Sequence, residues 1–126
     1  MSNINITVDP ERDLSILTVN GTLSAESLHS AFMDFYKESP TKYLLWDLTN
    51  ADMCSIKSDD IKNIVTSTME YAHLRPNGKT AFVASRDLNF GIGRQYSALG
   101  EAFEHPIKIA SFRVYDKAME WLFSDN

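Results

Sequence analysis

Cysteine is nearly absent from this sequence: Cys54 stands alone among 126 residues. A single thiol forms no internal disulfide, so the fold does not depend on an oxidising compartment. Long apolar runs are missing too, and none approaches the length that spans a bilayer. Met1-Ser2-Asn3-Ile4-Asn5 lacks the basic and apolar segments of a signal peptide, so the cytoplasm is the expected location. No run of Lys and Arg occurs, and the formal net charge is −5. Nucleic acid and anionic membrane surfaces both require a basic face, so neither is an expected partner. His29, His73 and His105 are scattered without ligand spacing, and no HExxH, P-loop or Ser-His-Asp order occurs. The sequence therefore predicts no metal, no cofactor and no enzyme.

What is present suits one folded domain over residues 1–126. Apolar residues make up 44% and charged residues 23%, enough for a core inside an ordinary surface. Ile4, Ile6 and Val8 alternate with Asn5 and Thr7, the pattern of a half-buried strand at a sheet edge. Pro10-Glu11-Arg12-Asp13 signals a turn, and 14–19 reads as the returning strand of a hairpin, ended by Asn20-Gly21. Ser24 is suited to cap a first helix, whose stripe is Leu28, Ala31, Phe32, Phe35 and Tyr36 and whose stop is Ser39-Pro40.

Residues 42–48 predict a third strand, apolar on both faces as a central parallel strand should be. A loop is expected over 49–57. Ser58 then reads as the cap of a second helix with Asp59 and Asp60 in its first turn. Its stripe is Ile61, Ile64, Val65, Thr68, Met69 and Ala72, broken by Pro76-Asn77-Gly78. A fourth strand is expected over 80–85, a third helix over about 89–103, a fifth strand over 107–114 and a last helix capped by Asp116. Alternating strands and helices call for parallel pairing through right-handed crossovers. If neighbours in sequence are neighbours in the sheet, the helices gather mainly on one face. The other face is then partly bare, a surface for self-association or for a protein partner. The expected fold is α/β: a five-stranded mixed sheet with an N-terminal hairpin, and four helices.

Several segments resemble the SpoIIAA-like family, which belongs with the STAS (anti-sigma-factor antagonist) domains, also grouped as STAS/SEC14-like. They are the opening hairpin, Trp46-Asp47-Leu48, the helix beginning at Ser58, and Tyr115-Asp116-Lys117-Ala118-Met119-Glu120-Trp121-Leu122. Asp87-Leu88-Asn89-Phe90-Gly91-Ile92-Gly93-Arg94 is similar to a recurring aromatic-Gly-then-Arg segment of that family. The resemblance implies a βα superhelix and a regulatory, non-enzymatic role. It also implies a switch: the best-known STAS proteins carry a phosphorylated serine at the start of the helix after the third strand. Ser58 holds that place here. Yet Asp59 and Asp60 stand where the family has a glycine, and their charge opposes a phosphate that the helix N-terminus would otherwise welcome.

In open α/β sheets ligands bind beyond the carboxyl ends of the parallel strands. Asp47, Asn50, Asp87 and Arg113 are expected near that rim. Asp47 and Asp87 could hold Mg²⁺ or accept a phosphoryl group, but the paired acids and lysine of a phosphoacceptor receiver are missing. Gly91-Ile92-Gly93-Arg94 lacks the third glycine of a dinucleotide fingerprint, because position 96 is Tyr. Its glycines are expected to pack the helix onto the sheet, and Arg94 alternatively to meet an anion. Cys54 is expected to be a small buried apolar residue. Met53, Cys54 and Ile56 with Leu88, Phe90 and Ile92 could instead line a small apolar cleft. Three roles therefore compete: a protein-binding or self-associating module, a small-molecule or lipid site using Asp47, Asn50, Cys54, Asp87, Phe90 and Arg94, and a phospho-switch at Ser58.

Overall fold

A computed structural model describes residues 2–124. Met1, Asp125 and Asn126, and with them the ends of the expected 1–126 span, lie outside the described residues. The elements are β1 (Ser2–Asp9), β2 (Leu14–Thr22), α1 (Ala25–Glu38), β3 (Tyr43–Asp52), α2 (Ser58–Met69), β4 (Lys79–Val83), α3 (Asp87–Ala102), β5 (Lys108–Phe112) and α4 (Tyr115–Leu122). The sheet order is β1-β2-β3-β4-β5. β1 and β2 are antiparallel and the remaining pairs are parallel. No described helix is long and apolar enough to cross a membrane.

The layering follows from connectivity. α1, α2 and α3 are the three crossovers, all stepping in one direction, so one handedness places them on one face. There Leu17, Val19, Leu44, Trp46, Leu48 and Phe82 meet Phe32, Ile61, Ile64, Val65 and Tyr96 in the main core. α4 follows the last strand and crosses over nothing, so that rule does not bind it. It packs on the opposite face, where Ala118 and Leu122 join Leu14, Leu45, Ala81 and Val83. Three helices thus share one face and the fourth covers β3 to β5 on the other. Beyond α4, the hairpin residues on that second face, Asn3, Asn5, Thr7 and Asn20, are exposed and polar.

Local chemistry sets the element ends. Ser24 caps α1 as expected, its Oγ accepting the Ser27 N–H at 3.1 Å. Ser58 does not cap α2. It is the first helical residue, Lys57 holds the cap position, and the Asp60 carboxylate accepts the Lys57 N–H at 2.9 Å. α2 stops at Met69, and Ala72 packs from a separate 3₁₀ turn over Ala72–Leu74. Asp116 does not cap α4: Val114 holds the cap position, Tyr115 begins the helix and Asp116 is its second residue. α3 begins at Asp87, two residues earlier than its apolar stripe suggests.

β3 also runs further than expected, to Asp52. Its pairing with β2 shifts between Thr18 and Asn20, the signature of a bulge. The bulge lets both Leu48 and Ala51, three residues apart, face the main core. A strict two-residue alternation would put one of them in solvent.

Candidate functional site

The carboxyl edge is built by β3, β4 and β5 and the segments that follow them. Asn89, in the first turn of α3, organises it. Its side chain is buried, and its amide donates to the carbonyls of Leu48 at 3.0 Å and Ala51 at 2.9 Å. Those carbonyls flank the bulge, so one amide fixes β3 to the start of α3. Gly93, one turn on, lies against β4 and β5. A Cβ there would come within 2.5 Å of Ser111 Oγ and 3.1 Å of Phe82 Cβ. The packing reading of that glycine therefore holds. Gly91 faces open space.

The apolar residues expected to line a cleft are divided. Met53, Ile56 and Ile92 turn inward and join the main core. Leu88 points outward and is 52% exposed. The space enclosed beneath Met53, Ile92, Gly93 and Tyr96 is about 10 Å³, at the limit for a single water. Cys54 is exposed, contrary to the buried place expected for it. The reason is a tight turn: Ile56 N–H donates to the Met53 carbonyl at 3.1 Å, which leaves Cys54 and Ser55 at the tip. The Asp52 carboxylate accepts the Cys54 N–H at 3.1 Å. Hydrogen bonding to Asp52, then its charge, holds the Cys54 thiol above its usual range, the opposite of what a nucleophile needs.

The candidate residues separate into distinct groups. Phe90, Asp87 and Arg94 come together around Arg113. The Arg113 guanidinium lies 4.2 Å from the centre of the Phe90 ring and donates to the Ser85 carbonyl at 3.0 Å. It also pairs with Asp87 at 2.9 Å, and Arg94 sits 6.0 Å from the same ring. Asp47 is elsewhere. It accepts the Thr49 N–H at 3.1 Å and faces the α4 side, where its charge helps raise the Tyr115 phenol after burial has done so. Asn50 is exposed on β3 opposite Asn20. Ser58 is exposed at the start of α2. Among the described residues no three or more His, Cys, Asp or Glu side chains are grouped as metal ligands.

The carboxyl edge is therefore a surface and not a pocket. It presents Leu88 and Val114, 52% and 54% exposed, around the clamped Phe90. The larger concavity, about 420 Å³, lies at the opposite edge of the sheet. Lys42, Lys79 and Lys108 line it, standing at the amino ends of β3, β4 and β5. Lys79 is buried, and its Nζ donates to the Trp121 carbonyl at 2.9 Å and the Ser124 carbonyl at 3.0 Å. A lysine at the head of each of β3, β4 and β5 is a signal the sequence carries.

Arg75 is a further residue that local pattern does not single out. It is 1% exposed. Its Nε donates to the Thr41 carbonyl, Nη1 to Tyr36 Oη and Thr80 Oγ1, and Nη2 to the Lys42 and Lys79 carbonyls, at 2.7 to 3.1 Å. All five N–H groups are thus used. Burial lowers its pKa, and the facing phenols partly offset that.

Solved structures share this architecture. An anti-sigma factor antagonist from Mycobacterium paratuberculosis matches with a TM-score of 0.66 at 16% identity, over 98% of this chain and 96% of its own. An uncharacterised protein with a SpoIIAA-like fold from Shewanella loihica gives 0.56 at 13% identity, over 96% and 93%. The anti-sigma factor antagonist SpoIIAA in its unphosphorylated form gives 0.51 at 9% identity, over 94% of each chain. No family model and no curated protein matches the sequence. The chain has the SpoIIAA-like fold.

Proposed function

We propose that this protein is a non-enzymatic, STAS-like regulatory module that acts by binding a protein partner across its carboxyl edge. The observation that carries the reading is the edge itself. Leu88 and Val114 stand in solvent around an arginine-clamped Phe90, above an interior space of about 10 Å³. Exposed apolar side chains among ordered polar ones suit a macromolecular surface, and a closed interior does not suit a small ligand. The fold shared with two anti-sigma factor antagonists supports the same reading.

A photo-crosslinking residue at position 88 tests it, with position 62 on α2 as the control. The expected result is one specific protein adduct from cell extract at position 88, lost when Val114→Asp is added. Equal labelling at both positions, or an adduct that survives Val114→Asp, removes the edge as the binding surface.

A phospho-switch at Ser58 is a second reading, supported by the exposure of Ser58 in the first turn of α2. Asp59 and Asp60 beside it oppose added negative charge. A mass increase of one phosphate after incubation with kinase-containing extract, abolished by Ser58→Ala, supports this reading. An unchanged mass removes it.

A further inference from the structure

The two edges of the sheet are guarded unequally. β5 has five residues, opens on the exposed Lys108 and is followed by the exposed Arg113. β1 has eight residues and pairs with β2 residue for residue, without a bulge. From Asn3 to Val8 it carries no charge and no proline. Natural edge strands are protected by such charges, prolines, bulges or a covering element, because an open row of N–H and C=O groups templates another strand.

The apolar face also continues past the last strand. Ile4, Ile6 and Val8 point to the side that holds the main core, opposite Val19, Leu17 and Ser15. Ile6 and Val8 are 56% and 45% exposed. They border a groove of about 150 Å³ whose inner wall is Leu17 and Phe35.

We infer that β1 pairs antiparallel with β1 of a second copy, continuing the sheet across a two-fold axis. The sequence of β1 selects both the occupant and the register. Residues directly opposite each other in an antiparallel pair point to the same face. For a strand paired with itself about an axis normal to the sheet, opposite residue numbers have a constant sum. That sum must be even, or apolar side chains would face polar ones. With Ile6 on the axis, Ile6 meets Ile6 of the second copy, Ile4 meets Val8 and Asn5 meets Thr7. This is the register that gives all three apolar side chains an apolar partner. It sets Asp9 opposite Asn3, so no like charges meet. The contact is small by the standard of stable interfaces, so the association is concentration-dependent.

This surface lies at the opposite end of the strand order from the edge proposed to bind a partner, so the two readings fail independently. Sedimentation equilibrium from micromolar to millimolar protein is expected to show the mass rising from 14.3 kDa toward twice that value. Ile6→Lys, a change at an exposed position, is expected to keep the circular dichroism spectrum and abolish the rise. In a Cys54→Ser background, Ile6→Cys should give a disulfide-linked dimer under mild oxidation. Thr7→Cys, a diagonal step from its copy on the other face, should not. A wild-type protein that stays monomeric to millimolar concentration overturns the inference. So does a dimer that persists in Ile6→Lys, or equal cross-linking at positions 6 and 7.

Discussion

His105 Nε2 lies 3.2 Å from Thr68 Oγ1, joining the strand-proximal end of α3's exit loop to α2 across the main core. His105 Nδ1 accepts the Ile107 N–H at 3.1 Å, so in the neutral ring the proton sits on Nε2 and is donated to Thr68. The Thr68 hydroxyl donates one turn back, to the Ile64 or Val65 carbonyl at 3.0 Å. Tyr96 then completes the network as a donor to Thr68 at 3.0 Å. Protonating the ring would turn Nδ1 into a second donor facing the Ile107 N–H. Burial, then repulsion from Arg75, lowers the His105 pKa to about 4 from its ordinary 6.5.

A pH dependence follows. The unfolded chain takes up this proton below about pH 6.5, whereas the folded protein resists it until about pH 4. In that window the unfolded state binds more protons, so stability falls as pH falls from 6.5 to 4. Above 6.5 the group contributes no slope. Urea midpoints for the wild type and His105→Gln should diverge across this window, the wild type losing more. Parallel midpoints from pH 7 to 4 would contradict the assignment.

Arg75 should tolerate no ordinary substitution. Arg75→Met keeps much of the volume but takes the guanidinium from the Thr41 and Lys79 carbonyls and from the Tyr36 and Thr80 hydroxyls; the Lys42 carbonyl keeps the Lys79 N–H. Each unsatisfied group costs about 1–3 kcal/mol, so a loss above about 3 kcal/mol is expected. Arg75→Lys should recover only part of this, because an ammonium has three donors against five and no planar fork. Denaturant unfolding of the two variants measures the ranking. A near-neutral Arg75→Met would mean that water replaces the guanidinium.

The two glycines near the start of α3 should respond with opposite sign. Gly91→Ala meets nothing within 4 Å and gains helix propensity, so it is expected to stabilise by up to about 1 kcal/mol. Gly93→Ala drives its methyl into Ser111 and the Phe82 Cβ, and should cost about 1–3 kcal/mol. Adding Ser111→Ala to Gly93→Ala should return part of the loss, since the nearest clash is with the Ser111 hydroxyl. Thermal midpoints of these variants, of Ser111→Ala alone and of the wild type check the signs and the coupling.

Much of the fold was legible along the chain because periodicity is local. The alternation of Ile4, Ile6 and Val8 and the stripe Leu28, Phe32, Phe35 and Tyr36 name their elements without outside help. Ser24 was legible as a cap for the same reason. Local pattern ends β3 at Leu48, because Thr49, Asn50 and Asp52 have the character of a loop. A bulge and the amide of Asn89, 41 residues from Leu48, keep that stretch in the sheet. Met53 and Cys54 are similar in local character, and only the turn closed by Ile56 decides that one is buried and the other exposed.

The sequence by itself determined the order of hairpin, crossovers and final helix, because hydrophobic period and capping chemistry act over a few residues. The handedness of crossovers then placed α1, α2 and α3 on one face. Tertiary structure alone decided what became of the expected site. It closed the cleft, divided Asp47 and Asn50 from Phe90 and Arg94, and gave Arg75, Asn89 and His105 their partners. The bonds of Arg75 to Thr41, Asn89 to Leu48 and His105 to Thr68 join residues about 35 to 40 apart in the chain, where no local periodicity carries information.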